Sequence, residues 1–159
     1  MKRVSLSSIA LFFAIILFAG TYTQSNEIFA AETSPVTVQS KQSFDNTVSE
    51  IRKLVKQNGM MVLSELNQGK VLSMTGLSIN NISLFVGNPQ IGNKLFSADR
   101  GVGVAVPVRV NIYEGTDGKT YINYVKPSDQ LFSFKNDQIQ KIAQNLDQKL
   151  SMLTGMLSK

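Results

Sequence analysis

From Val102 to Ile112 the chain places a branched apolar residue at every second position: Val102, Val104, Val106, Val108, Val110 and Ile112. Successive side chains of a strand point to opposite faces, so this order predicts one strand with an unbroken apolar stripe. Arg109, Asn111 and Tyr113 fall on its other face. Glu114-Gly115-Thr116-Asp117-Gly118 is a turn by composition. A second strand-forming run, Thr120 to Val125, follows it. The expectation is a long antiparallel hairpin over Val102 to Val125 at the centre of an α+β domain. Pro107 has no N–H to give to a ladder and belongs at an edge or a bulge.

The other elements are read around that hairpin. Val36 to Gln42 alternates weakly and forms a first strand. Ser43 is an N-cap type, and Phe44, Val48, Ile51, Leu54 and Val55 recur at helical spacing until Gly59, the expected residue past the helix end. Met60 to Leu66 is apolar on both parities, which predicts a strand buried on both faces. Gly69 to Gly76 fits either a helical turn or a loop. Ile79 to Val86 is a further strand, with Ile82, Leu84 and Val86 on one side. Asn88 followed by Pro89 is a helix start, because Asn caps free amides and proline suits the first helical position. Asp99-Arg100-Gly101 closes that helix. Pro127 ends the hairpin, and Leu131, Phe132 and Phe134 make a compact turn expected to pack under the sheet. Asn136 caps a final helix striped by Ile139, Ile142, Ala143, Leu146, Leu150 and Leu153. Together these predict an α+β two-layer sandwich: a curved antiparallel sheet of about four to five strands against two to three helices.

The residue types that are missing narrow the chemistry. The 159 residues include no Cys, His or Trp. Disulfides, thiolate catalysis, Ser-His-Asp triads, Cys/His zinc sites and haem held by His or Cys are excluded. The net charge of +5 is spread without runs of like charge, so the clustered footprint of a nucleic-acid binder is missing. Gly87 to Lys94 reads G-x-x-x-x-G-x-K, with Asn93 where a phosphate-binding loop needs its lysine. Gly101-Val102-Gly103 lacks the third glycine of a dinucleotide fingerprint. The acidic residues are scattered, and no cofactor and no metal are expected.

The first residues read as a secretory signal: Lys2 and Arg3, then an apolar run from Val4 to Ala19, then a polar stretch with a cleavage position before Ala31. Kept uncleaved, the same segment would be a membrane anchor, although its apolar run is shorter than the ~20 residues of a span. The expected organisation is a signal peptide at 1–30, a flexible N-terminus and first strand at 31–42, the α+β domain at 43–135 and an amphipathic helix at 136–159. The product is expected to be exported to the envelope or beyond, with no membrane span after cleavage.

The residues from Ser43 to Pro127 resemble the family called domain of unknown function 302. The resemblance is carried by Phe44, Thr47, Ile51 and Gly59, by Gly87-Asn88-Pro89 with Gly92, Leu95, Phe96, Ala98 and Asp99, and by Pro107-Val108-Arg109-Val110 with Ile112, Tyr113 and Glu114. Gly118-Lys119-Thr120 with Ile122, Tyr124 and Pro127 completes it. The resemblance implies a compact α+β sandwich, often dimeric, with no established activity and no catalytic residues to carry over. It marks Asn88, Asp99, Arg109, Glu114, Lys119 and Tyr124 as recurring polar positions that form a site or hold the fold. Arg109, with its planar donor fork, reads either as part of a solvated face with an exposed salt bridge or as the wall of a pocket for a small anionic ligand. The candidate ligand-binding residues are Asn88, Asp99, Arg109, Glu114 and Tyr124. The first expectation is an exported, non-catalytic ligand-binding or protein-interaction module that forms a homodimer. The alternatives are an enzyme using carboxylate, Lys or Tyr chemistry at an Arg109–Glu114 face, and an envelope protein anchored by its N-terminus. A single concave pocket joining Asn88, Asp99, Arg109 and Tyr124 would favour the enzyme.

Overall fold

The computed structural model describes residues 34–158. The signal or anchor reading of residues 1–30 lies outside them. In chain order the elements are β1 (Val36–Gln39), α1 (Phe44–Gln57), β2 (Met61–Leu66), α2 (Gln68–Ser73), β3 (Asn81–Gly87), α3 (Pro89–Ala98), a 3-10 turn (Arg100–Val104), β4 (Val108–Glu114), β5 (Thr120–Tyr124), α4 (Pro127–Gln130) and α5 (Asp137–Gly155). The five strands form one open antiparallel sheet in the order β1-β5-β4-β3-β2. The α+β architecture expected from the sequence is therefore the architecture observed.

One face of the sheet builds the main core. Ile82, Leu84 and Val86 of β3, Val108, Val110 and Ile112 of β4, and Ile122 and Tyr124 of β5 pack there with Val48, Ile51, Leu54 and Val55 of α1 and Leu150 and Leu153 of α5. A second cluster joins Leu95 of α3, Val102 and Ala105 around the 3-10 turn, Leu131, and Ile139 and Ala143 in the first half of α5. The 19 residues of α5 span about 28 Å, long enough for one apolar stripe to serve both clusters. Asn136 caps it, accepting from the amides of Gln138 and Ile139 at 2.9 and 3.2 Å.

Four expectations change. The long valine strand is broken: Arg100–Val104 is a 3-10 turn and the strand starts only at Val108. Val102 and Ala105, three apart, are buried, while Val104 is 85 % exposed. Two glycines flank Val102. A Cβ at Gly101 would come within 3.3 Å of the Phe134 ring, and one at Gly103 within 3.3 Å of the Phe96 ring. These glycines let two aromatic rings approach the backbone, where a Cβ would force each ring to give by a few tenths of an ångström. Pro107 precedes the strand, where its missing N–H costs no ladder bond. Second, Met61–Leu66 is an edge strand with Met61, Leu63 and Leu66 about half exposed, not a strand buried on both faces. Its register slips between Val62 and Ser64, so Leu63 leaves the ladder and leans towards Gly87. Third, Ser43 precedes α1 but makes no capping hydrogen bond through its side chain. Fourth, Leu131 is buried against α3 and α5 and not under the sheet, and Phe132 is exposed.

Candidate functional site

Helices cover one face of the sheet and leave most of the other open. Its parity is set by the register: Arg109 lies opposite Phe85, Asn111 opposite Ser83 and Asn123, and Tyr113 opposite Asn81 and Tyr121. Thr37 and Gln39 of β1 extend the same face through their pairing with Asn123 and Tyr121. At the β3 side a helix reaches over, where Gln68 at the start of α2 donates to Ser83 Oγ at 2.6 Å. That contact explains why Ser83 is buried on an otherwise open surface.

A polar relay crosses this face. Ser83 Oγ donates to Asn111 Oδ1 at 3.2 Å, and Asn111 Nδ2 donates to Asn123 Oδ1 at 3.2 Å. Each central asparagine is thus held by its neighbour, which fixes the side chains without a charge. At the hairpin end Tyr113 and Tyr121 stack with centroids 5.5 Å apart, an arrangement favoured between directly opposed strand positions. Tyr121 donates its hydroxyl to Asp117 Oδ2 at 2.8 Å, and the Lys119 amide donates to Asp117 Oδ1. Those two donors hold the exposed Asp117 carboxyl below its ordinary range, and the same hydroxyl bond raises Tyr121. At the opposite end the face dips into a concavity of about 430 Å³, walled by Phe85, Val104, Pro107 and Pro35 and floored by Arg109 and Asn123.

The sequence candidates do not gather in one place. Asn88 caps α3, accepting from the amides of Gln90 and Ile91 at 2.8 and 3.0 Å, and donates through Nδ2 to the Gly59 carbonyl at 2.6 Å. Asp99 accepts from the Gly101 amide at 2.7 Å and so starts the 3-10 turn. Glu114, near the hairpin turn, accepts from Asn80 Nδ2 at 3.4 Å. Lys119 pairs with Asp117 at 3.7 Å. Arg109 and Tyr124 both border the concavity, but the Tyr124 ring belongs to the helix-side core. Burial raises its phenol pKa. Hence none of the concavities found among the described residues joins Asn88, Asp99, Arg109 and Tyr124. Nor is there an Arg109–Glu114 face: the two lie five residues apart on one strand, an odd spacing that sends them to opposite sides. The expected salt bridge there is absent, since the ion pairs among the described residues are Arg52–Glu65, Lys53–Glu50 and Lys119–Asp117.

Phe85, Asn123 and Tyr121 were not among the candidates. The signal for two of them was present. Once the turn is placed at Gly115 to Gly118, pairing Glu114 with Thr120 puts Tyr113 opposite Tyr121 and Asn111 opposite Asn123. Phe85 comes from the separate β3–β4 pairing, which no local pattern announces.

Comparison with known proteins bears on the whole domain. The family described as a domain of unknown function, DUF302, matches residues 36–157, reaching from β1 through α5. The crystal structure of an uncharacterized conserved DUF302 protein from Bacillus stearothermophilus superposes with a TM-score of 0.72 at 22% identity, over 77% of this chain and 97% of that one. Two curated relatives, both called fluoride-specific ion channel FluC 1, come from Brucella suis biovar 1 (strain 1330) and Brucella abortus biovar 1 (strain 9-941). Each is 30% identical over 94 residues, or 58% of this chain. The chain spans only 37% and 35% of those relatives' lengths.

Proposed function

This chain belongs to the DUF302 family, and from that premise we propose that it is an exported, non-catalytic interaction module whose working surface is the open face of its sheet and which self-associates there as a two-fold homodimer. The observation that carries the reading is the composition of that face. It presents Phe85, Tyr113, Tyr121, Arg109 and a row of amides, and none of its strand positions is acidic. Protein interfaces are enriched in aromatic residues and arginine and depleted in Lys, Asp and Glu at their centres. A solvated sheet face would normally alternate charges of both signs. The stacked tyrosine pair and the Ser83-Asn111-Asn123 relay are held in place before any partner arrives, which lowers the ordering cost of association. A two-fold axis through the face sets the same patch against itself, as an isologous dimer requires.

The enzyme alternative has no assembled group of acid, base and nucleophile to rest on among the described residues. The channel activity named for the Brucella proteins is not part of this reading, because the shared segment is about a third of their length. Export rests on the composition of residues 1–30. A native N-terminus at Ala31, read by mass spectrometry of protein from the producing cell, is the expected result; a retained Met1 overturns that part. Equilibrium sedimentation tests the dimer. The wild-type protein is expected to associate reversibly, and Tyr113→Asp with Tyr121→Asp to sediment as a folded monomer. A wild-type monomer at the highest attainable concentration refutes self-association, and dimers that persist in the double variant refute the face.

A further inference from the structure

We infer that the concavity at the β4 end of the open face is a binding site for a small organic carboxylate with an apolar body, its carboxylate held by Arg109. This deepens the interaction-module reading and rests on it: both use the same face, the dimer through its Tyr113–Tyr121 end and the ligand through its Arg109 end. Arg109 enters no ion pair among the described residues. Among the described residues no Asp or Glu lines the concavity. Its second donor is Asn123, which lines the cavity and whose side-chain oxygen accepts from Asn111, so that Nδ2 remains as a donor. Asn123 pairs with Asn111, two residues along the strand from Arg109, so the two donors lie diagonally across adjacent strands, about 7–8 Å apart. A carboxylate between them meets the guanidinium fork with both oxygens and still reaches the amide.

The walls supply the rest of the ligand's chemistry. Phe85 stands directly across from Arg109, while Pro107 and the 85 % exposed Val104 form an apolar lip. Val104 is the residue that the break in the valine strand turns outward, so the 3-10 turn is what builds this lip. A volume of about 430 Å³ lies in the range that encloses small ligands. A bare inorganic anion would satisfy Arg109 and leave the apolar wall wet; a neutral apolar molecule would leave the guanidinium and the amide unused. An organic carboxylate satisfies both halves.

The test is a titration of the full protein with benzoate, followed by NMR and calorimetry, with benzamide as the neutral isostere. Saturable benzoate binding is expected, with shifts centred on Val104, Val125 and the Asn123 side-chain amide. Benzamide should bind at least ten-fold more weakly. Arg109→Gln should lower benzoate affinity at least ten-fold, and Arg109→Lys should lower it less. Val104→Asp, at an 85 % exposed side chain, should weaken benzoate by like-charge repulsion while leaving the fold intact. Equal affinity for benzamide, an unchanged affinity in Arg109→Gln, or shifts spread over surface lysines without saturation would each overturn the inference. Sedimentation of the unliganded wild type reads the module hypothesis separately, so a failed titration beside an intact dimer removes the carboxylate site alone.

Discussion

Asn88 caps α3 and is also a candidate ligand residue, and its hydrogen bonds allow the two roles to be separated by substitution. Its Oδ1 accepts from the Gln90 and Ile91 amides, and its Nδ2 donates to the Gly59 carbonyl just past α1. Asn88→Ala removes the cap, worth ~1 kcal/mol, and the bond to Gly59, worth ~1 kcal/mol. The expected loss is therefore ~2 kcal/mol. For a domain of this size that lowers Tm by about 8 °C. Asn88→Asp keeps the capping oxygen and loses only the donor to Gly59, so it should cost about half as much. Urea unfolding followed by far-UV circular dichroism measures both, with the m-value unchanged. The reasoning fails if Asn88→Ala unfolds within ~0.5 kcal/mol of wild type, the range of an uninvolved surface position. It also fails if Asp and Ala cost the same, because the cap would then contribute nothing. In either case Asn88 returns to the list of ligand residues.

Three further outcomes are expected. Val104→Asp should change stability by no more than ~0.5 kcal/mol in the same urea assay, since the side chain is exposed; a loss of several kcal/mol would restore the continuous strand. The Glu65 carboxyl is held below its usual range chiefly by its hydrogen bond from Arg52. Its stabilisation is present above the unfolded carboxylate pKa of about 4.3 and is lost as pH falls through the lower folded value. Exposure limits that effect to ~1 kcal/mol or less, and Arg52→Gln should flatten the urea midpoint between about pH 6 and pH 3 by the same amount. Tyr124 has its pKa raised by burial, so stability should fall as pH rises past the unfolded tyrosine value of about 10. Tyr124→Phe should remove that part of the alkaline slope in a pH series of thermal melts, and an identical slope in both proteins would refute the assignment.

Patterns that reach only a few residues were legible in the chain. The α1 stripe, the Asn88-Pro89 and Asn136 helix starts, the β4–β5 hairpin and the apolar stripe of α5 are all where their spacing puts them. Each of these depends on neighbours within one or two turns of helix or across one tight turn. The residues that misled share a different property. Val104 fits a two-residue alternation, yet it is exposed because Phe96 and Phe134 close on the glycines beside it. Leu63 and Leu66 look like core, yet β2 lies at the sheet edge. Distant partners decide both, and alternation within one segment does not encode them.

The candidate site divides along the same line. The parity of β4 was in the sequence: it places Arg109, Asn111 and Tyr113 on one side and, by its odd spacing, Glu114 on the other. Period-2 geometry is a property of the strand itself and needs no tertiary information. Which side would be left open, by contrast, followed only from where α1 and α5 pack. That Phe85 would stand across from Arg109 followed from the β3–β4 register, and that Val104 would turn outward to rim the hollow followed from two rings packing onto glycine. Residue order specifies what each segment presents along its own axis; the pairing of segments far apart in the chain decides which presented side chains meet, and which are left facing solvent.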